Sequence, residues 1–261
     1  MSSLVTLTTD FGDASPYVAV MKGVILSLNP SARLVDLSHH IPPQDIRHAD
    51  YYLGTAIPFF PKGTVHVAVI DPGVGSDRHP LLIEAGGRFL VGPDNGVFTR
   101  AVKALGKPVR VRRLSEPRFW RPTVSDTFHG RDVFAPVAAH LSLGTDPAQM
   151  GPVVGEMVEL KTCSAVCWGS RRAGEVQFVD EFGNLITNIP AAQLKSHALR
   201  VSVGGAETLA ARWVRTYSDA AQGEVVSLAS SDGFVEVAVV NGSAASRLGA
   251  GVGSAVELHC G

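Results

Sequence analysis

An α/β N-terminal domain with a mostly parallel central sheet, followed by a smaller, mainly β C-terminal domain, is the fold class the sequence predicts. Three observations predict it. Strand and helix patterns alternate through the first half of the chain, the grammar of an open α/β sheet. From about Val153 the patterns become short and strand-like, as in all-β domains. Between the two halves Gly144, Asp146, Pro147, Gly151 and Pro152 cluster as a linker. The expected bounds are 1–160 for the first domain and 165–261 for the second.

Leu4–Thr8 is rich in β-branched residues and predicts the first strand. Ser15-Pro16 predicts an N-cap followed by a first-turn proline. Tyr17, Val20, Met21, Val24, Ile25 and Leu28 then recur at helical spacing until Asn29-Pro30 ends the run. Arg33–Leu37 is the second strand, and Pro43 to Ala56 is a helix that ends before Pro58. Thr64–Ile70 is Val-rich, as a strand buried on both faces should be. Leu81–Ala85 and Arg88–Val91 flank Gly86-Gly87 as a hairpin, and Val97–Leu105 and Arg131–Leu143 read as helices. In the second half, strands are expected over Gly174–Val179, Leu185–Ile189, Leu199–Val203, Gly223–Leu228, Phe234–Val240 and Val252–Leu258. Only Pro190–His197 looks helical there.

Composition narrows the function classes. The 261 residues carry 23 Lys+Arg against 24 Asp+Glu, a net charge of -1, and 45% are hydrophobic. Such a chain is too apolar for disorder and too weakly basic for a phosphate-backbone binder. No apolar run reaches the length of a membrane span, and Met1–Asp10 lacks the pattern of a signal peptide. A cytoplasmic protein with no nucleic-acid and no membrane partner is expected. Cys163, Cys167 and Cys260 lack a second pair at zinc-site spacing, and no carboxylate completes a site with His39-His40. No metal is expected, and the cysteines read as small buried or half-buried residues.

Five segments carry candidate chemistry. Thr8-Thr9-Asp10-Phe11-Gly12 sits where the first strand ends, the place where open α/β sheets bind ligands. Asp10 there can accept hydrogen bonds from the vicinal hydroxyls of a ribose, or simply cap the next helix. Asp-Phe-Gly is also a kinase triplet, but the glycine-rich loop, strand lysine and catalytic loop are missing. Asp71-Pro72-Gly73-Val74-Gly75 follows the third strand. Asp71 and Arg78, seven apart, can return as an ion pair, whose plain reading is a loop staple. His129, in Phe128-His129-Gly130-Arg131-Asp132, can exchange a proton near neutral pH or cap a helix. Asp180 and Asn184 flank Phe182-Gly183. A carboxylate can hold an ammonium and an amide can read a purine edge, but these residues also make ordinary hairpin turns. Asn241-Gly242-Ser243-Ala244-Ala245, preceded by Ser230-Ser231-Asp232-Gly233, supplies small residues that let backbone amides approach a flat ring, or again turns.

Together with Pro93-Asp94-Asn95-Gly96 and Thr187-Asn188-Ile189, these strings resemble the S-adenosylmethionine (SAM) hydroxide adenosyltransferases. These are adenosine-forming SAM hydrolases related to the fluorinase and chlorinase enzymes. The resemblance covers nearly the whole chain. It implies two domains, and a homotrimer with the ligand between the N-domain of one subunit and the C-domain of the next. It implies that SAM and water give adenosine and L-methionine, with SAM as a small-molecule substrate and no cofactor. Asp71, Arg78 and His129 match the family's water-handling set, and either Asp71 or His129 takes the proton. Asp10 matches the ribose carboxylate, Asp180 the ammonium partner and Asn184 an adenine contact. Ser231 matches a contact to the methionine carboxylate, beside Asp232 where the fluorinase has arginine. Ala244 matches a backbone contact to adenine. Gln44 stands where the fluorinase has tryptophan, and Tyr17 and Tyr217 are further pocket candidates. The competing readings are a halide adenosyltransferase making 5′-chloro- or 5′-fluoro-5′-deoxyadenosine, and a non-catalytic adenosine or SAM binding module.

Overall fold

A computed structural model of the chain describes residues 4–161, 164–194, 198–204 and 209–260. The expectations for Cys163 and His197, and for the side chain of Cys260, lie outside the described residues. The chain divides into two compact units, Met1–Leu160 and Lys161–Gly261.

The first unit holds β1 (Leu4–Thr9), α1 (Tyr17–Leu28), β2 (Arg33–Ser38), α2 (Ile46–Ala56), β3 (Val65–Val69), β4 (Pro80–Ala85), β5 (Arg88–Pro93), α3 (Thr99–Leu105), β6 (Val109–Arg113), α4 (Ala135–Ser142) and β7 (Val153–Val154). They form a seven-stranded sheet in the order β2-β1-β3-β5-β4-β6-β7. The sheet is mixed rather than mostly parallel. β1, β2, β3 and β5 pair in parallel, whereas β4, β6 and β7 join through antiparallel pairings. The physical reason is the hairpin. Gly86 and Gly87 both take positive φ, 55° and 75°, the twist that turns one strand directly back on the next.

Alternation along the central strands feeds two cores. Val5, Leu7, Val65, Val67 and Val69 pack with Met21, Ile25 and Phe134 on one face. Ala68 and Ile70 pack with Leu53, Ile57 and Phe98 on the other. Two helix starts differ from expectation. α1 begins at Tyr17 without a side-chain cap from Ser15. α2 begins at Ile46 because Asp45 Oδ1 accepts the His48 N–H at 2.9 Å.

His66 sits inside this sheet, with Nδ1 2.8 Å from Thr6 Oγ1. Burial, helped by the Arg88 charge, pushes its pKa down from 6.5 to about 3. A depressed imidazole supports folding in full above its unfolded value of 6.5. That support is lost as pH falls from there towards the folded value, at up to about 1.4 kcal/mol per pH unit. Chemical denaturation at a series of pH values should therefore show a shallower acid slope in His66→Gln than in the wild type. Equal slopes would remove this account.

The second unit comprises β8 (Val166–Trp168), β9 (Arg171–Val179), β10 (Leu185–Pro190), β11 (Ala198–Val203), β12 (Leu209–Trp213), β13 (Val225–Ala229), β14 (Phe234–Val239), α5 (Ala244–Leu248) and β15 (Ala255–Cys260). The order is β10-β14-β13-β12-β11-β15-β9-β8, and β10 also pairs with β9, so the sheet closes on itself. β8 hangs outside that ring on β9 alone, which leaves Cys167 exposed rather than buried or half-buried. Among the described residues no helix is long and apolar enough to cross a membrane.

Candidate active site

Parallel pairing of β1 with β3 puts Thr9 opposite Val69. Asp10 and Asp71 therefore leave adjacent strands at the same, carboxyl-terminal edge. Both line a cavity of about 430 Å³ together with Tyr17, Gln44, Phe128 and His129. Asp10 Oδ2 accepts the Gln44 N–H at 2.8 Å, and Gln44 holds an unusual φ of 65° to present it. The Gly12 N–H donates to His39 O at 2.8 Å, tying the loop after β1 to the loop after β2. Phe11, Tyr17 and Phe128 meet edge to face, with centroids 5.2 to 5.8 Å apart.

Asp71 and Arg78 form a two-pronged pair. Arg78 Nε donates to Asp71 Oδ1 at 3.0 Å and Nη2 to Oδ2 at 2.5 Å. The Arg78 side chain is 9% exposed and that of Asp71 5%, so this is not a screened surface pair. Arg78 Nη2 also lies 2.8 Å from His129 Nδ1, 51 residues away in sequence. A guanidinium only donates, so Nδ1 must accept, and the neutral ring then carries its hydrogen on Nε2. Burial first, and the Arg78 charge second, hold the His129 pKa below 6.5. The charges of Asp71, Asp132 and Asp126 oppose this without reversing it. The Asp71–Arg78 pair therefore reaches beyond its own loop, to His129.

His129 stands at the start of a π-helical turn, Gly130–Phe134, that runs into α4. Such turns are frequent where a side chain is being aimed. Fully buried Asp132 anchors the turn. It accepts from Arg131 Nε at 2.7 Å, Arg131 Nη2 at 2.8 Å and the Ser125 N–H at 2.9 Å. Burial works against its charge, but these donors and the charges of Arg131 and Arg121 hold its carboxyl below the usual range. Gly75 takes φ 79°, and a Cβ there would stand 2.6 Å from Asp126 O. The loop bearing Asp71 and the segment before His129 are thus in backbone contact.

In the second unit, Asp180 Oδ1 accepts the N–H groups of Phe182 at 3.0 Å and Asn184 at 2.8 Å, and Oδ2 accepts Asn184 Nδ2 at 2.9 Å. The plain turn reading is realised here, with lone pairs of the carboxylate left over for a further donor. Gly183, at φ 79°, has no room for a side chain, because a Cβ would fall 2.1 Å from Ser243 Oγ. Ser243 caps α5 through the Ser246 N–H at 3.1 Å, and the Ala245 N–H donates to Gly183 O at 2.9 Å. Asp180, Asn184 and Ala244 are therefore neighbours. Ser231 lies exposed in the turn that precedes β14.

Sequence reasoning missed Glu236, although a carboxylate inside the apolar run Phe234–Val239 was the available signal. It accepts from Tyr217 Oη at 2.5 Å. Burial pushes its pKa up, the Tyr217 hydrogen bond opposes that, and the charges of Asp180 and Asp232 add to it.

The N-terminal domain of the SAM hydroxide adenosyltransferases matches residues 5–151, and the C-terminal domain of the same family matches residues 174–257. The chain belongs to the SAM hydroxide adenosyltransferase family. It is 43% identical to an (R)-S-adenosyl-L-methionine hydrolase of Thermus thermophilus, over 96% of this chain and 97% of that one. A solved structure of an uncharacterized conserved protein from Thermotoga maritima superposes with a TM-score of 0.92 at 35% identity, covering 98% of this chain and 99% of the other. A fluorinase of an Actinoplanes species is more distant, at 25% identity over 90% of each chain. In this SAM hydroxide adenosyltransferase, Asp10, Asp71, Arg78 and His129 fall within the N-terminal match. Asp180, Asn184, Ser231 and Ala244 fall within the C-terminal match.

Proposed function

We propose that the protein hydrolyses S-adenosyl-L-methionine to adenosine and L-methionine, with Asp71, Arg78 and His129 handling the attacking water. The observation that carries the assignment is the contact of Arg78 with both Asp71 and His129 beside a cavity that Asp10 also lines. The electrophile is ribose C5′ on the sulfonium. The oxygen of water forms the new bond to C5′, the C5′–S bond breaks, and its electron pair leaves with the neutral thioether of methionine. No acid is needed on the leaving side, and the reaction balances without a metal or cofactor. Attack by a hydroxide-like oxygen on a sulfonium cancels charge, so a pocket that limits water favours it. In-line placement lowers the barrier further.

His129 Nδ1 is taken by Arg78, so the ring offers its Nε2–H as a donor. We assign it to hold the water, and Asp71 to accept the proton. Arg78 stays charged at any relevant pH and orients both. Asp10 would take the ribose hydroxyls, Asn184 and the Ala244 backbone the adenine, Asp180 the ammonium and Ser231 the methionine carboxylate. The working assembly is a homotrimer with substrate held between subunits, in keeping with the resemblance, and the compartment is the cytoplasm. Light scattering that gave a monomer mass would end the trimer assignment.

Product analysis tests the reaction. Incubation with SAM in ¹⁸O-labelled water should yield adenosine labelled at the 5′-oxygen, together with methionine, with or without chloride. 5′-Chloro-5′-deoxyadenosine would instead make the protein a halide adenosyltransferase, a role that the carboxylate of Asp71 opposes by repelling the anion. Unchanged SAM would make it a binding module.

A further inference from the structure

The fork between Asp71 and Arg78 joins the two ends of an eight-residue loop. Those ends must be held at a fixed separation, and the segment after β5 holds both. Asn95 Nδ2 donates to the carbonyl of Ile70 at 2.8 Å, immediately before Asp71. The Asp94 N–H donates to the carbonyl of His79 at 2.9 Å, immediately after Arg78. Ile70 is fully buried and lies beyond Val67–Val91, the last register pair between β3 and β5. The Asn95 amide thus extends the link between the two strands by side chain where their ladder has stopped. Asn95 also fixes its own turn, with Oδ1 accepting the Val97 N–H at 3.2 Å. Asp94 Oδ1 in turn accepts the Val158 N–H at 2.7 Å.

We propose that Asn95 is a positioning residue for the reaction. Its amide donor sets where Asp71 leaves β3, and with the Asp94 N–H it sets the span across which Asp71 reaches Arg78 and Arg78 reaches His129. The inference rests on the assignment of those three residues given above. The alternative is that Asn95 serves only its local turn.

Asn95→Asp separates the two roles. An aspartate keeps the size and the Oδ1 acceptor for Val97, but it loses the donor and sets an oxygen against Ile70 O. The expected result is a kcat lowered about 10- to 100-fold, since a displacement near 1 Å costs on that order. KM and adenosine affinity should stay within about 2-fold, because Asp10 is untouched. The same change made in an Asp71→Asn background should cost less than about 3-fold, since residues acting through one another are not additive. Wild-type turnover in Asn95→Asp overturns the inference, as does an equal loss in both backgrounds. If Asp71→Asn alone turns over like the wild type, the assignment beneath it fails instead. Should Asn95→Asp not fold, Asn95→Ser is read by the same criteria.

Discussion

Asp71→Asn should lower kcat about 10²- to 10⁴-fold, the range expected when a positioned base is removed, and should leave adenosine affinity close to that of the wild type. Asparagine keeps the shape of the side chain and one carbonyl oxygen, so the cavity wall survives. It loses the charge and the ability to take a proton from water. It also leaves Arg78 buried with only neutral partners, and Arg78 Nη1 already lacks a hydrogen-bond partner among the described residues. Breaking a buried pair from one side costs on the order of 3–5 kcal/mol, so a lower melting temperature should accompany the lost turnover. The Asp71 charge is also among those that raise the His129 pKa against the effects of burial and Arg78. In the variant that pKa should move further down, which an NMR titration of the ring can follow. Single-turnover kinetics beside adenosine calorimetry decide the matter. Full turnover in a folded Asp71→Asn would remove Asp71 from the chemistry.

The second large effect is expected on binding. Asp10→Ala should weaken adenosine about 10- to 100-fold, the loss of hydrogen bonds to a charged acceptor at about 1.5–3 kcal/mol. Alanine also frees the Gln44 N–H, so part of the loss would come from slackening of the loop after β2. Asp10→Asn separates these contributions, because its carbonyl oxygen can still accept from Gln44. If Asp10 reads the vicinal hydroxyls, the wild type should reject 2′-deoxyadenosine and both variants should lose much of that preference. Calorimetric affinities for both nucleosides that match the wild type would reassign the ribose contact.

The repeating units were legible because their signals are local. β1 through β3 alternate with α1 and α2; β1 and β3 announce themselves by β-branched residues and α1 by spacing. Strand direction beyond the hairpin was not legible. Gly86-Gly87 predicts a reversal, yet nothing near β6 says that it will pair with β4 rather than extend the parallel set. β12 was missed because Leu209–Trp213 is short and contains an arginine. In the site, the Asp71–Arg78 pair could be read from spacing within one loop. The Arg78–His129 contact could not be read from spacing, since only the folded chain brings His129 and the loop after β3 together. Asn95 stands in Pro93-Asp94-Asn95-Gly96, but its amide has meaning only once Ile70 O is seen to accept from it.

The register between β1 and β3, with Thr9 opposite Val69, has a metric consequence. The carboxylates assigned to recognition and to chemistry hang one and two residues past a paired position on neighbouring strands. Their spacing is a property of a hydrogen-bonded ladder about 4.8 Å wide, not of either loop. With Asp10 on the ribose and Asp71 on the water, as proposed, breathing of the loops would admit or release a nucleoside without altering the gauge between the two. The sheet would then work as a ruler, set to the distance from sugar hydroxyl to 5′-carbon.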